Sequence, residues 1–264
     1  MTDAFGEPPA RPAGARAFSQ PRTPGFADCA PSGRVRLDAM ACWLQDVAYA
    51  DVQDAGLAQS AVWVVRRTRI RVNRFPRFGE RFRLTTFCSG LGRMWAERGT
   101  DITRDGEALP DVQASSLWVH LDVERWVPTP LTEAEMAAYA GTVPAPRVSA
   151  RLRHPAPDPA VTDGRPWTFR ATECDLADHV NNAAYWAPLE EELLSGAASG
   201  SAPSPEPPPS PSPSPEPARI DVELEYRAPA QPGEKRMLAD GNRRWIVADD
   251  GELHASFLLA PIDF

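Results

Sequence analysis

An amphipathic segment followed by four alternating segments most constrains the fold of this chain, and the same order occurs twice. Between residues 37 and 56, apolar side chains recur at intervals of three and four, and the segment ends at Gly56. This spacing predicts a helix of about five turns with one buried face, and glycine is a common residue just beyond a helix C-terminus. The apolar positions are Leu37, Met40, Ala41, Leu44, Val47, Ala48, Val52 and Ala55.

Four strands are predicted after this helix, at residues 62–73, 81–89, 94–103 and 113–122. In the first strand, apolar side chains alternate with a second group of side chains that we expect to face solvent. This alternation predicts one buried and one solvated face. The sets are Val62, Val64, Ile70 and Val72 against Trp63, Arg67, Arg69 and Arg71. Asp105-Gly106 is a hairpin signal, so the sequence predicts an α+β unit of a helix and an antiparallel meander.

The second half repeats this plan with a short strand, a helix at about residues 180–194 and four further strands. Those strands are predicted near residues 220–227, 235–240, 243–248 and 252–259. The halves can be superposed at their helix starts, with Cys29 on Cys174 and Val35 on Val180.

In this superposition Arg34 corresponds to His179, and Ala30 corresponds to Asp175. The first half then has the scaffold without an acid and histidine pair. The sequence predicts one active site per chain, supplied by the second half.

One stretch of the second half, TECDLADHVNNAAYW from Thr172 to Trp186, concentrates polar chemistry in a single turn. We expect His179 and the asparagines after it to lie at a helix start, where backbone N–H groups are unpaired and the dipole is positive. Such donors suit an oxygen that gains negative charge, while Asp175 and His179 could move a proton or position a water. Singly, each residue is more often structural, but capping a helix needs only one of them.

The run D-x-x-x-H-V-N-N-x-x-Y resembles the motif of bacterial-type acyl-acyl-carrier-protein (acyl-ACP) thioesterases. Three segments of the first half agree in order: RLDAMACWLQDVAYADVQDAGL, WVVRRTRIRVNRFPRFGERFRLTTFCSG and ASSLWVHLD. The resemblance covers roughly residues 26–259. It implies a double hot-dog fold, two long helices each wrapped by an antiparallel sheet, and hydrolysis of ACP thioesters to free fatty acids.

We expect Asp175 and His179 to orient and deprotonate a water, or Asp175 to attack directly. Backbone N–H groups near Val180 and Asn181 would hold the oxyanion, and Asn181 and Asn182 would orient the turn or the pantetheine arm. No metal and no organic cofactor is expected.

An acyl tunnel is expected beside the first helix, with Met40, Leu44 and Trp63 as candidate walls; ordinary core packing is the alternative for each. Arg67, Arg69 and Arg71 would lie about 7 Å apart on an open strand face. There they could steer an acidic carrier protein, although a solvated sheet face is the simpler alternative.

Two positions depart from the family pattern. An asparagine often precedes the motif histidine by two residues, where this chain has Ala177, and an acid often follows the L-E-Y-R strand, where it has Pro229 and Ala230. Glu225 could substitute, but alternation turns it toward water. Pro188 is also unexpected, since proline inside a helix costs about 3 kcal/mol.

These departures leave two other functions open, an acyl-CoA thioesterase and a catalytically weakened protein that binds acyl groups or docks carriers. A hot-dog dehydratase is disfavoured because a second acid and histidine set is not seen across the halves.

Composition limits the remaining choices. The 264 residues are 42% hydrophobic, enough for two globular domains, and the net charge of −8 argues against a nucleic-acid partner. Neither a membrane span nor a signal-peptide core is seen, so a cytoplasmic protein away from membranes is expected. The four cysteines lack a C-x-x-C pair, which disfavours disulfides and zinc. Homodimer formation is left open.

We expect four regions. They are a disordered lead-in (1–20), an N-terminal hot-dog (21–145), a catalytic C-terminal hot-dog (146–264), and a Pro/Ser-rich inserted linker within it (195–217).

Overall fold

The computed structural model describes residues 5–58, 62–139, 148–196 and 217–260. The first half contains β1 (Ala17–Arg22), α1 (Leu37–Asp54), β2 (Val62–Val72), β3 (Phe82–Leu91), β4 (Trp95–Arg104), β5 (Val112–Leu121) and α2 (Glu133–Tyr139). The second half contains β6 (Gly164–Phe169), α3 (Ala187–Leu194), β7 (Ile220–Tyr226), β8 (Gly233–Asp240), β9 (Arg243–Val247) and β10 (Leu253–Leu259). Within these described ranges, none of the helices is long and apolar enough to cross a membrane.

All ten strands form one sheet in the order β1-β3-β4-β5-β2-β7-β10-β9-β8-β6. The two halves meet where β2 and β7 pair antiparallel, and the strand order on one side repeats on the other. One core runs through both halves and includes Trp43 of α1, Phe169 of β6, Trp186 before α3 and Phe257 of β10. The predicted α+β class, with a repeated helix and antiparallel sheet, is confirmed.

Helix α1 ends where the sequence predicted. It covers Leu37–Asp54, and Gly56 follows with a φ of 72°, a left-handed conformation that glycine adopts without steric cost. Its buried side chains include the predicted Met40, Leu44 and Val47. Asp51 is also buried, so the inner face carries a charge that the apolar pattern did not indicate.

A β-bulge changes the alternation of β2. The register with β5 shifts between Val65 and Arg67, which turns successive side chains to the other face. Trp63 therefore lines a cavity beside α1, on the same side as the buried Ile70 and Val72. The prediction that grouped Trp63 with the arginines on the wet face is wrong for this reason.

The predicted disordered lead-in is wrong at its C-terminal end. Strand β1 begins at Ala17 and pairs antiparallel with β3. It lies at the sheet edge, where Pro21 is tolerated because one side of an edge strand needs no hydrogen-bond donor. Arg16 anchors this strand to α1 by donating from Nε to Asp51 at 3.0 Å. Residues 1–4 lie outside the described part.

The second predicted helix is shorter than the expected residues 180–194. A 3₁₀ turn (Ala184–Trp186) comes first, and α3 begins only at Ala187. Pro188 therefore lies in the first turn of the α-helix, where its missing N–H group leaves no internal bond unmade. The apparent cost of a proline inside a helix does not arise. The inserted linker, apart from residues 195, 196 and 217, lies outside the described residues.

A buried ion pair connects the halves at the start of α1. Arg34 Nη2 lies 2.8 Å from Glu190 Oε1 of α3, and both side chains are almost fully buried. The other oxygen of Glu190 accepts from the backbone N–H of Leu37 at 3.1 Å. Burial raises the pKa of Glu190 against the opposing charge of Arg34. One carboxylate thus satisfies both a cation and a helix N-terminus of the other half.

We expect Arg34→Met to lower the free energy of unfolding by about 3–5 kcal/mol, because it leaves Glu190 buried without its cation. Glu190→Gln in the Arg34→Met background should recover part of this loss, since glutamine is neutral and can still accept from Leu37. Urea denaturation of the single and double variants measures the difference. A double variant no more stable than Arg34→Met would contradict the assignment.

Candidate active site

The candidate site is a tight turn between β6 and α3, and the first half contains the same turn. Cys174 forms an isolated bridge with Val180, just as Cys29 does with Val35. The superposition of the halves drawn from the sequence is therefore confirmed at these residues.

The backbone of the two turns also agrees. Asp175 N donates to His179 O at 2.9 Å, matching Ala30 N and Arg34 O at 2.8 Å. Asp178 takes a φ of 60° where Gly33 takes 84°. Aspartate is one of the few side chains that accept this left-handed conformation, so the turn closes without glycine.

The carboxylate of Asp175 is held inside the turn. Oδ1 accepts from the backbone N–H of Ala177 at 2.9 Å, and Oδ2 accepts from Asn181 Nδ2 at 3.4 Å. Asn181 Oδ1 in turn accepts from Gln45 Nε2 of α1 at 2.8 Å and from Ala183 N at 2.9 Å. A chain of polar contacts therefore runs from the first half through Asn181 to Asp175.

His179 lies in the same turn with a half-buried side chain. Across the described ranges, its imidazole makes no hydrogen bond and no ion pair, so it is not paired with Asp175. The ring nitrogens are available to a water or a substrate.

The N–H groups of Val180 and Asn181, near which the oxyanion donors were expected, are already used within the fold. Val180 N donates to Ala230 O at 3.0 Å and Asn181 N donates to Glu173 O at 2.8 Å, so neither N–H group is free. The backbone N–H of Asn182 has no acceptor within the described residues. This shift follows from the late helix start, because residues 180 and 181 belong to the turn and its bridges rather than to a helix end.

Asn182 is positioned through its carbonyl. Tyr226 Oη of β7 donates to Asn182 O at 3.0 Å and accepts from Trp186 Nε1 at 3.2 Å. Burial raises the pKa of Tyr226 above its usual range, so the hydroxyl remains a donor. The neighbouring Tyr185 Oη accepts from Ala230 N at 2.8 Å, and burial raises its pKa to about 12.

A largely apolar cavity of about 200 Å³ lies beside α1 in the first half. Its wall includes Ala48, Val52, Trp63, Cys88 and Ala96, and its polar members include Gln45, Glu97, Arg98 and Tyr139.

A narrow gap leads from this cavity toward the turn. Gln45 and Trp118 line both spaces, and Asn182 lines the gap. Of the expected tunnel walls, Trp63 lines the cavity, Leu44 lines the gap, and Met40 is fully buried in the core without lining either space.

The expected open row of arginines is wrong. Arg69 is buried and binds Asp221 through two hydrogen bonds of 2.7 and 2.6 Å, while Phe5 stacks on its guanidinium. Arg71 pairs with Glu7 at 2.9 Å, and Arg67 lies 3.5 Å from Glu223. Acids of β7 and residues 5–7 thus pair with these three cations and partly cover them, so they do not form the expected open row.

Glu225 was expected to face water, and it is fully buried. The backbone N–H groups of Arg153 and His154 donate to its two oxygens at 2.5 and 3.0 Å, and Arg227 pairs with it at 2.7 Å. The segment before β6 therefore covers the outer face of β7. Glu225 cannot replace the family's missing acid, because it lies on the face of the sheet opposite the helices.

His154, Glu223 and Glu225 form the one group of metal-ligand type found in the described residues, with ligand atoms within 4.8 Å. Both ring nitrogens of His154 face acceptors, Ser256 O at 3.0 Å and Glu223 Oε1 at 3.2 Å. The arrangement is an ion-pair cluster rather than a set of free metal ligands.

Cys174 does not suit a nucleophile. Partial burial, together with Asp178 and Asp175, raises the pKa of its thiol, which disfavours the reactive thiolate. Its counterpart Cys29 occupies the same bridge in a turn without acid or histidine.

Three residues near the site were missed by the sequence analysis: Gln45, Arg98 and Tyr226. A signal existed for Gln45, because it lies four residues after Ala41 and three before Ala48, on the apolar face of α1. Arg98 and Tyr226 lie on strands, and their roles depend on contacts between distant segments.

The pairing of Glu223 with His154 and Arg67 predicts acid sensitivity. Burial acts to raise the pKa of Glu223, but the His154 hydrogen bond and the charges of Arg67 and Arg69 together bring it below its ordinary 4.5. Ionised Glu223 therefore stabilises the fold above about pH 4.5, and this contribution is lost as pH falls through the lower folded pKa. Glu223→Gln should destabilise the protein at pH 7 and differ progressively less from wild type in acid.

Urea denaturation at several pH values measures this effect. Glu234→Gln, an exposed glutamate on β8, is the matched control and should show no such trend. A constant gap between Glu223→Gln and wild type from pH 7 to about pH 3 would exclude the linkage.

Comparison with known proteins agrees with this geometry. An acyl-ACP thioesterase from Bacteroides thetaiotaomicron has a TM-score of 0.72 at 16% identity, covering 92% of this chain and 98% of that one. The 12:0-ACP thioesterase from Umbellularia californica has a TM-score of 0.69 at 16% identity, covering 93% and 97%. The likeness confirms the predicted double hot-dog fold.

The first half of the sequence also matches a family model. Residues 25–139 match the acyl-ACP thioesterase N-terminal domain, and the resemblance to that family predicted from the sequence is confirmed. An uncharacterized protein of Mycobacterium tuberculosis is also 26% identical over 202 residues, covering 76% of this chain and 73% of the relative.

Proposed function

We propose that the protein hydrolyses acyl-ACP thioesters to a free fatty acid and the carrier protein, as part of fatty acid biosynthesis in the cytoplasm. The observation that carries this proposal is the placement of the apolar cavity next to the turn: Gln45 and Trp118 line both the cavity and the narrow gap that Asn182 borders. An acyl chain in the cavity would place its thioester at the turn. The family match of the first half supports a carrier-bound substrate.

In the proposed mechanism, Asp175 accepts a proton from a water whose oxygen attacks the thioester carbonyl carbon. The carbonyl oxygen gains charge and accepts from the free N–H of Asn182, a type of contact worth about 10² or more in rate. The carbon–sulfur bond then breaks. His179, whose imidazole has no protein partner across the described ranges, supplies a proton to the leaving thiolate. The proton held by Asp175 then returns to His179 through water, which restores both side chains.

Positioning in this mechanism comes from two other elements. Gln45 of α1 fixes the amide of Asn181, which in turn contacts Asp175. Tyr226 of β7 fixes the carbonyl of Asn182. These contacts act where the family's asparagine is replaced by Ala177, so α1 helps to orient the carboxylate through Asn181, in addition to the contacts within the turn.

Asp175→Asn and His179→Ala should each lower kcat/KM for acyl-ACP by at least about a hundredfold, with the melting temperature nearly unchanged, because both side chains lie in a partly open turn. Asp178→Asn is the matched control. This substitution removes a neighbouring carboxylate. Asparagine also adopts the left-handed backbone conformation of residue 178, so turnover should remain near that of the wild type. Thiol release measures the rate, and near wild-type turnover by folded Asp175→Asn would refute the site.

Carrier specificity is tested by the same assay with equal acyl chains on carrier protein and on coenzyme A. A higher kcat/KM for acyl-ACP supports the proposal, and a preference for coenzyme A would favour the alternative of an acyl-CoA thioesterase.

A catalytically weakened acyl-binding protein is the second candidate, favoured by Ala177 and by Pro229 and Ala230 at the position of the family's acid. Fatty acid binding without turnover of any thioester by the pure protein would establish it.

A further inference from the structure

The cavity is apolar along most of its wall, yet a buried arginine stands at one end. Arg98 of β4 lines the cavity and is only 9% exposed. Its guanidinium lies 5.5 Å from the centre of the Tyr139 ring, which lines the same end. A cavity built only for a hydrocarbon would have no use for this cation.

Arg98 has donors left over. Nη1 donates to Asp51 Oδ2 at 2.6 Å and to Thr86 Oγ1 at 3.2 Å, and Nη2 donates to Tyr139 Oη at 3.5 Å. A guanidinium carries five N–H groups. The Nε–H group and one Nη2–H group therefore have no acceptor among the described residues. Arg98 is a lining residue of the cavity, so its side chain borders the space in which a ligand would lie.

The charges around Arg98 are already balanced. Asp51 also accepts from Arg16, and Arg16 pairs with Asp54, so two cations face two acids. Burial raises the pKa of Tyr139, which keeps its hydroxyl protonated. The cluster offers hydrogen-bond donors without an excess charge. It suits a neutral oxygen better than a carboxylate.

Helix α1 gives the distance between the two ends of the path. Gln45 contacts the turn and Asp51 contacts Arg98, and six residues of helix separate them by about 9 Å. At about 1.2 Å per bond of an extended chain, this equals roughly seven or eight bonds. Volume agrees: a cavity of about 150 Å³ holds the six carbons of benzene, so about 200 Å³ holds roughly eight.

Building on the proposed function, we infer that the preferred acyl group has about eight carbons and a hydroxyl or keto oxygen at its distal end, bound by Arg98 and Tyr139. The oxygen accepts from the unused N–H groups of Arg98. An unsubstituted chain brings a methyl group against those donors and leaves them without a partner, which costs binding free energy. Arg98 and Tyr139 thus determine specificity and take no part in the chemical step.

The test compares thiol release from octanoyl, 8-hydroxyoctanoyl and octanedioyl (half-thioester) pantetheine. In wild type, kcat/KM for the hydroxy substrate should exceed that for octanoyl by about tenfold or more. The double variant Arg98→Met/Asp51→Asn should bring this ratio near one. The second substitution is included because Asp51 would otherwise lose one of its two cations. Tyr139→Phe should lower the ratio less, and Arg83→Met, an exposed arginine on β3, should leave it unchanged.

Equal or faster hydrolysis of octanoyl by wild type would overturn the inference, as would a ratio that survives the loss of Arg98. A preference for the octanedioyl substrate over the hydroxy substrate would overturn the assignment of a neutral oxygen.

Calorimetric titration with free octanoate and 8-hydroxyoctanoate separates the inference from the proposed function. Tighter binding of the hydroxy acid that depends on Arg98, without turnover of any thioester, would support the distal site and refute the hydrolase. Turnover that depends on Asp175 without the hydroxyl preference would support the hydrolase and refute the distal site.

Discussion

The antiparallel pairing of β2 with β7 determines the arrangement of everything else. It joins two five-stranded halves into one sheet and thereby sets α1 beside the turn that precedes α3. Each half then supplies a polar group that the other lacks. Glu190 of α3 binds the first N–H of α1, and Gln45 of α1 binds Asn181 in the turn. Neither the start of α1 nor the turn of the candidate site is complete within its own half.

The same turn serves two purposes in the two halves, and one residue accounts for the difference. Arg34 stands where the second half has His179, and its guanidinium is buried against Glu190, whereas the imidazole is half-buried and makes no hydrogen bond or ion pair with the described residues. A buried cation needs a fixed counter-charge, so the side chain of Arg34 in the first turn is held in place by Glu190. The second turn can present its side chains to a ligand. The prediction of one active site per chain follows from this asymmetry and remains to be tested by mutation.

Local patterns predicted the elements well, and distant contacts explain the failures. Eight of the ten described strands, β2 to β5 and β7 to β10, lie within two residues of their predicted bounds, because alternation and turn residues such as Asp105-Gly106 act locally. The errors at Arg69 and Glu225 share one cause, since Phe5 and the Arg153–His154 backbone cover a face that alternation alone assigns to solvent. The oxyanion donors are a different case. Residues 180 and 181 look like a helix start in sequence, but pairing with Glu173 and Ala230 uses their N–H groups.

The departures from the family pattern acquire a physical meaning in this arrangement. Pro229 and Ala230 supply no carboxylate, yet the backbone of Ala230 binds both Val180 N and Tyr185 Oη, so this segment holds the turn by main-chain contacts alone. The side chain lost at Ala177 is likewise offset by an amide from α1, Gln45. That same glutamine lines the path to the cavity. An acyl chain filling the path would contact the residue that orients Asn181 and, through it, Asp175, which would make the fit of the chain a condition for alignment of the carboxylate.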